Sequence, residues 1–285
     1  MRPFQLLEAR EVSPIAQECF ASLDRDAPIE YRELASLLAT RWKRNGVPVI
    51  GLGGGQGSGK STLCKLIEEA CAFLGDKAAI LGIDDFYLTR TDRVRLSEEV
   101  HKLLVTRGPP GTHDIHGLLC AIRSLKRASS CVVPVFDKGL DERTGSRVIE
   151  SNVNRVIVEG WCVGAQEEPS SSLENPINSL ESKRDPDGVW RNWVNQQLAG
   201  SYQELNSMFD ELVFIRVPNI ESVRKWRFQQ ELERPAQQRM DRASVHAFVE
   251  HYERITHWML NDLSTRADIV VELDDSHQVA SLRGL

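Results

Sequence analysis

The chain contains 285 residues, of which 41% are hydrophobic and 27% charged, and its formal net charge is −6 at pH 7. This composition is ordinary for a globular protein, and the negative charge argues against nucleic acid or an anionic membrane as partner. The sequence has no run of about 18 apolar residues, so it predicts no membrane span.

The amino-terminal residues 1–14 contain no long apolar stretch, so they do not resemble a secretory signal. Six cysteines are scattered without CxxC spacing, and we expect them to be reduced thiols in or near the core. We therefore expect a cytoplasmic protein. The cysteines are Cys19, Cys64, Cys71, Cys120, Cys131 and Cys162.

Helix and strand patterns alternate along the chain. The predicted helices cover residues 11–24, 29–44, 61–73, 93–104, 115–127, 189–207, 220–233 and 243–262. The predicted strands cover residues 47–52, 78–83, 131–136, 155–158, 211–217 and 268–273. This alternation predicts an α/β fold with a mostly parallel sheet that is covered by helices on both faces.

A polar stretch interrupts this alternation at residues 166–188. It is rich in Ser, Asn, Pro and Asp, and we expect an exposed loop or insertion there.

A glycine-rich segment follows the first predicted strand and precedes a predicted helix. Residues 54–61 match the pattern G-x-x-x-x-G-K-[ST]. Glycines let successive backbone N–H groups surround phosphate oxygens, and the following helix adds its partial positive charge. We expect Lys60 to contact the β- and γ-phosphates and the Ser61 hydroxyl to hold Mg²⁺. The predicted ATP-binding residues are Gly54, Gly55, Gln56, Gly57, Ser58, Gly59, Lys60, Ser61 and Thr62.

Acidic residues stand where two other predicted strands end. Asp84 and Asp85 follow the second strand, and Glu159 ends the strand at 155–158. Ligands of open parallel sheets bind beyond the carboxyl ends of the strands, where a carboxylate can hold a metal or accept a proton. The alternatives are a helix cap or turn for the aspartates and an edge salt bridge for Glu159.

Six segments together carry a resemblance to a known family, and they extend from about residue 47 to residue 273. They are GGGQGSGKSTL, IDDFYLT, RGPPGTHD, PVFDKGLDER, VIVEGWCVG and WRFQQE. The chain resembles the P-loop small-molecule kinases grouped with uridine kinase, phosphoribulokinase and bacterial pantothenate kinase. Within that group it is most similar to the plant and fungal type of D-glycerate 3-kinase and its bacterial relatives.

The resemblance implies a P-loop NTPase fold with a mostly parallel five-stranded sheet. It divides the chain into an N-terminal helical extension (1–46) and a kinase domain (47–285) with a helical lid at about 220–242. No motif accounts for the extension itself. ATP and Mg²⁺ are the implied cofactors.

The resemblance also implies catalytic roles. Asp84 matches the residue that accepts the proton of the acceptor hydroxyl, and Glu159 matches the residue that closes the metal site. Lys60 and a lid cation stabilise the transferring phosphoryl group, with Arg227 as first candidate and Arg224 or Arg234 as alternatives. Instead, Arg227 could simply form an i,i+4 pair with Glu231.

Acceptor-binding residues are implied by the same comparison, and an arginine suits a small carboxylate because it can form a forked pair with it. The alternatives are a turn-stabilising role for His113, a solvated charged loop for the stretch 137–143, and packing for Tyr252 and Arg254. The implied residues are Asp85, Tyr87, Arg107, His113, Asp114, Asp137, Lys138 and Arg143.

The predicted activity is transfer of the γ-phosphoryl group of ATP to a hydroxyl of a small organic acid, with D-glycerate as first candidate. A uridine- or pantothenate-type kinase is the alternative, because Phe86, Tyr87 and Phe136 could stack on a base. A nucleotide-binding switch protein is a third hypothesis, although the sequence has no Asn-Lys-x-Asp guanine motif and its DxxG match at 185–188 lies in the polar stretch. We expect a monomer or homodimer with a small-molecule partner.

Overall fold

A six-stranded sheet forms the centre of the computed structural model, which describes residues 12–232, 234 and 239–285. Residues 1–11 of the predicted N-terminal extension and residues 233 and 235–238 of the predicted lid lie outside the described residues. The strands are β1 (Val49–Gly54), β2 (Ala78–Gly82), β3 (Cys131–Asp137), β4 (Glu142–Ile149), β5 (Arg155–Gly160), β6 (Glu211–Arg216), β7 (Ile269–Leu273) and β8 (Val279–Arg283).

Ten α-helices accompany these strands in the part of the chain that the structure describes. They are α1 (Pro14–Ser22), α2 (Ile29–Asn45), α3 (Lys60–Phe73), α4 (Arg90–Glu99), α5 (Ile115–Lys126), α6 (Ser179–Arg184), α7 (Val189–Gln197), α8 (Gln203–Asn206), α9 (Ile220–Leu232) and α10 (Arg242–Arg266).

The strand order of the central sheet is β2-β5-β1-β6-β7-β8. The first five strands run parallel, which confirms the predicted mostly parallel sheet, although the sheet has six strands rather than the five predicted. The sixth strand, β8, pairs antiparallel with β7 and was not predicted. Every residue of β1 is buried, as expected for a strand with helices on both faces.

The predicted strand at 131–136 lies outside this sheet. It is β3, which forms a separate antiparallel hairpin with β4, a strand that the sequence analysis missed. Val133 and Phe136 are buried, whereas Val132 and Val148 face solvent. Because only one face of the hairpin is covered, its apolar pattern is weaker than that of the central strands.

The N-terminal helices pack on the same core as the rest of the chain. Leu34 and Leu38 of α2 are fully buried against α3, and the Trp42 indole N–H donates to Glu211 Oε1 at 2.6 Å. Helix α2 is therefore built into the common core rather than appended to it.

The polar stretch 166–188 is exposed along most of its length, as its composition predicts, but it is not only a loop. It contains α6, and two of its acidic side chains, Glu181 and Asp185, are fully buried. Arg254 donates to Glu181 at 2.7 Å, and Arg191 pairs with Asp185 at 3.0 Å. Buried carboxylates need such partners, and composition does not reveal that distant arginines supply them.

The predicted helix at 189–207 is interrupted. Helix α7 ends at Gln197, and a π-turn at Leu198–Tyr202 with non-helical backbone at Gly200 leads into α8. This turn directs Tyr202 into the core beside the loop 107–114.

Candidate active site

The glycine-rich segment forms the loop between β1 and α3, as predicted. Gly57 and Gly59 have φ angles of +77° and +81°, a region in which side chains are strained, so both positions require glycine. The Lys60 ammonium donates to the carbonyls of Gly54 and Gly55 at 2.9 Å each, and therefore lies folded over its own loop. Burial lowers the pKa of Lys60, and the charges of Glu159 and Asp84 partly offset that effect.

The other predicted loop residues differ in their exposure. Gln56, Gly57, Lys60 and Ser61 line an open cleft of about 410 Å³. Ser58 is fully buried beneath the loop, and Thr62 is exposed on the first turn of α3.

Asp84 stands in a short 3₁₀ turn (Ile83–Phe86) directly after β2 and lines the same cleft. Its Oδ2 accepts from the Lys138 ammonium at 2.6 Å, and its Oδ1 accepts from the Tyr87 hydroxyl at 2.8 Å. Burial would raise the pKa of Asp84, but Lys138, His113 and the Tyr87 hydroxyl outweigh it, so the pKa lies below its ordinary value. Asp84 is thus a carboxylate that stays ionised and faces the cleft.

Glu159 ends β5 next to the phosphate loop, because β5 is the neighbour of β1 in the sheet. The Ser61 hydroxyl donates to Glu159 Oε1 at 3.4 Å. Burial raises the pKa of Glu159, partly offset by the charge of Lys60.

A divalent cation fits between Ser61 and Glu159. Neighbouring ligands of octahedral Mg²⁺ are about 3 Å apart, close to the 3.4 Å between these two oxygens. The described residues contain no group of three or more His, Cys, Asp or Glu side chains placed around one metal position. Mg²⁺ in phosphate-binding sites is commonly held by one or two protein groups, with phosphate and water completing the shell.

Besides Lys60, four cationic side chains line the cleft, although each already has a partner. Arg107 pairs with Asp141 and donates to the Lys138 carbonyl at 3.0 Å. The Tyr252 hydroxyl in turn donates to the Arg107 carbonyl at 2.9 Å. The four residues are Arg107, Lys138, Arg227 and Arg234.

The lid cations come from α9 and the segment after it. Both Arg227 and Arg234 pair with Glu231, a fully buried carboxylate. The Arg227 guanidinium also lies 5.5 Å from the centre of the Phe248 ring. The predicted i,i+4 pair is therefore present, and Arg227 faces the cleft as well. Arg224 does not line the cleft and pairs with Glu253 at 3.1 Å.

Four of the residues expected to bind the acceptor make structural contacts outside the cleft lining. Asp85 pairs with Arg147 at 3.7 Å, and Asp137 closes a turn by accepting from Gly139 N at 2.7 Å. Asp114 caps α5, and Arg143 donates to the Tyr87 carbonyl at 2.7 Å.

His113 lies behind Tyr87 rather than in the cleft. The two rings stack with centres 4.7 Å apart, and His113 Nδ1 is 2.6 Å from the Tyr202 hydroxyl. Burial lowers the pKa of His113 to about 4, so it is neutral at pH 7. Its neutral ring supports the Tyr87 ring, whose hydroxyl binds Asp84.

The cleft also contains an aromatic wall that the sequence analysis did not assign, formed by Trp161, Phe248 and Tyr252. The Trp161 and Tyr252 rings meet edge to face at 4.8 Å, and the Trp161 indole N–H donates to Thr256 at 3.0 Å. Trp161 follows Glu159 at a strand end, so the strand-end argument could have found it. Phe248 and Tyr252 are one helical turn apart on α10, and only the tertiary fold brings them here. Gln230 of α9 also lines the cleft and was not assigned.

None of the helices in the described ranges combines the length and apolar character needed to cross a bilayer. All six cysteines are free thiols, and only Cys120 is exposed.

Curated relatives cover most of the chain, although no protein-family model matches it. A Schizosaccharomyces pombe protein named uncharacterized kinase mug58 is 30% identical over 258 residues, which are 83% of this chain and 90% of that protein. The Saccharomyces cerevisiae probable ATP-dependent kinase TDA10 is 30% identical over 261 residues, 81% of this chain and 86% of its own. The chloroplastic D-glycerate 3-kinase of Arabidopsis thaliana is 26% identical over 219 residues, 72% of this chain and 46% of that protein.

A solved structure shares the fold. The D-glycerate 3-kinase of Cryptococcus neoformans superposes with a TM-score of 0.75 over 91% of this chain and all of that chain, at 22% identity. At this identity the likeness is one of architecture.

Proposed function

Because the chain belongs to the family of ATP-dependent P-loop kinases, phosphotransferases with an alcohol group as acceptor, we propose that its own acceptor is a small organic acid, with D-glycerate as first candidate. The observation that carries this proposal is the set of four cations around the cleft. Together with Asp84, which Lys138 contacts directly, they line a space of about 410 Å³, which suits a compact anion beside the triphosphate.

Phosphate transfer would use the chain's own residues in the following way. The loop 54–62 and Lys60 would hold the triphosphate, and Ser61 and Glu159 would hold Mg²⁺, which when bound would neutralise charge on the phosphate oxygens. Asp84 accepts the proton of the acceptor hydroxyl while the oxygen of that hydroxyl attacks the γ-phosphorus. The bond from the γ-phosphorus to the β–γ bridging oxygen breaks, and ADP leaves.

Cations would then stabilise the charge that spreads over the transferring group. Arg227, with Arg234 beside it, reaches the cleft from the lid side, and Lys138 reaches it from the hairpin. Arg107 uses only part of its five donors on Asp141 and Lys138, so it retains donors for an acceptor carboxylate.

A nucleoside acceptor is the second candidate, and the aromatic wall favours it. Of its three rings, the half-buried Phe248 offers the most surface on which a base could stack, because Trp161 and Tyr252 are only 6% and 3% exposed. Of the residues that first suggested stacking, Phe86 is buried and the Phe136 ring packs edge-on against Tyr87, 5.0 Å between centres. The aromatic wall therefore favours a nucleoside acceptor, whereas the four cations favour an acid.

A coupled assay of ADP release with D-glycerate, uridine, pantothenate and sugar acids tests the two candidates. We expect the highest kcat/KM with D-glycerate and a rise of about 10- to 100-fold in its KM on Arg107→Gln, as for the loss of a charge-assisted hydrogen bond. Arg123→Gln is the control, because Arg123 also pairs with a carboxylate, Glu204, but lies outside the cleft. A higher kcat/KM with uridine, or an unchanged KM in Arg107→Gln, would contradict the acid acceptor.

A further inference from the structure

The N-terminal helix α2 contacts the phosphate loop from below through one side chain. The Tyr31 hydroxyl donates to the Ser58 carbonyl at 2.7 Å, and Tyr31 is only 5% exposed. Its ring fills the space beside Gly59. A Cβ atom at that glycine would be 2.6 Å from the Tyr31 hydroxyl oxygen. Gly59 thus needs glycine both for its backbone angle and for this contact.

The bond to the Ser58 carbonyl orients a peptide group of the loop. In a trans peptide the C=O and the following N–H point in opposite directions. Because the Ser58 carbonyl points towards Tyr31, the Gly59 N–H points away from Tyr31. Tyr31 does not line the cleft, whereas the neighbouring Lys60 and Ser61 do. The Gly59 amide also precedes α3, where helix formation leaves N–H groups without an intrahelical carbonyl.

The tyrosine is held firmly enough to act in this way. On either side of it, Glu30 Oε2 accepts from Val279 N at 2.8 Å, and Leu34 is fully buried. About one helical turn before its end at Asn45, α2 is tied again by Trp42 to Glu211. Burial, with a smaller effect of Glu30, raises the pKa of Tyr31, so its hydroxyl remains a donor.

We infer that Tyr31 is a positioning residue for triphosphate binding: its hydrogen bond to Ser58 fixes the Gly59 amide towards the phosphates. This inference rests on the proposed role of the loop 54–62 in holding the triphosphate. It also gives the N-terminal helix, for which the sequence offered no motif, a part in catalysis.

Tyr31→Phe removes one oxygen and keeps the ring, so the variant tests the hydrogen bond alone. We expect the KM for Mg-ATP and the Kd for inorganic triphosphate, the latter measured by calorimetry, to rise about three- to tenfold together. The KM of the acceptor should stay within about twofold, because Tyr31 is outside the cleft.

Ser36→Ala is the matched control. Ser36 is a fully buried hydroxyl on the same helix, and it donates to the Glu33 carbonyl at 2.8 Å. This variant should lose thermal stability without any change in triphosphate Kd. An unchanged triphosphate Kd in Tyr31→Phe, or an equal loss in Ser36→Ala, would overturn the inference.

Different outcomes test the proposed acid acceptor and the role of Tyr31. Wild-type protein that binds triphosphate but does not phosphorylate any of the tested acids would contradict the acid acceptor and leave the role of Tyr31 intact. Wild-type protein that does not bind triphosphate would contradict both.

Discussion

Replacing the candidate base gives the sharpest test of the site, and the variant is Asp84→Asn. Asparagine has the same shape, and its amide oxygen can still accept from the Tyr87 hydroxyl, so the local fold should persist. What is lost is the charge that would take the proton of the acceptor, together with the ion pair to Lys138.

The two losses differ in size. The ion pair joins side chains that are 62% and 35% exposed, so its removal should cost less than about 1 kcal/mol of unfolding free energy. A positioned base contributes about 10²- to 10⁴-fold, so kcat should fall by at least about 100-fold, which adds about 3 kcal/mol to the barrier.

The assay is ADP release under saturating ATP and acceptor, with the melting temperature recorded for each variant. Asp85→Asn is the control, because Asp85 is the adjacent carboxylate but pairs with Arg147 outside the cleft. It should keep kcat within about threefold. If Asp84→Asn retains kcat within about tenfold while Asp85→Asn loses it, the proposed base is the wrong aspartate.

Three further predictions concern the phosphate loop, the metal site and the buried histidine. Lys60→Met should abolish turnover while leaving the melting temperature nearly unchanged, since methionine has a similar length but cannot donate to a phosphate; normal turnover would refute the loop assignment. Burial raises the pKa of Glu159 above 4.5, so activity should be lost as pH falls through that raised value. Because Mg²⁺ competes with the proton, higher Mg²⁺ should move the acid limb of kcat/KM to lower pH, and a limb that ignores Mg²⁺ would contradict the ligand role. The pKa of His113 is about 4 in the fold against 6.5 unperturbed, so the unfolded chain takes up a proton that the folded chain refuses. The free energy of unfolding should therefore fall as the pH drops below 6.5, by about 2 kcal/mol near pH 5. Urea titrations of His113→Gln at several pH values should lack this part of the pH dependence.

The parallel sheet and the phosphate loop were predictable because their signals are local. A fully buried strand such as β1 is a continuous apolar run, and the glycines of the loop carry a fixed spacing. The carboxyl ends of parallel strands lie at one edge of the sheet, and this rule predicts from the sequence that Asp84 and Glu159 lie beside the loop. The structure brings all three together in the cleft.

The missed features depend on contacts between distant segments. The composition of residues 166–188 predicts solvent exposure, but two of its carboxylates are buried in ion pairs with Arg254 and Arg191. The short antiparallel strand β8 has an unremarkable sequence and is defined by its pairing with β7.

The acceptor side of the site shows the same limit. Arg107 and Arg143 are both arginines in charged loops, and sequence alone gave them the same role. In the fold, Arg107 lines the cleft and Arg143 holds the backbone of Phe86 and Tyr87. The side on which an arginine faces is decided by tertiary packing, which a charge pattern does not encode.

The hairpin of β3 and β4 has a consequence for how such an enzyme could acquire a new substrate. The triphosphate side of the cleft is built into the central sheet, whereas Lys138 arrives on a peripheral ribbon that forms its own two-stranded sheet. Exchanging residues 138–141 between related kinases should change the surroundings of Asp84 and Arg107 while the loop 54–62 stays in place. Evolution, or an engineer, could thus rewrite what is phosphorylated while the phosphate donor stays the same.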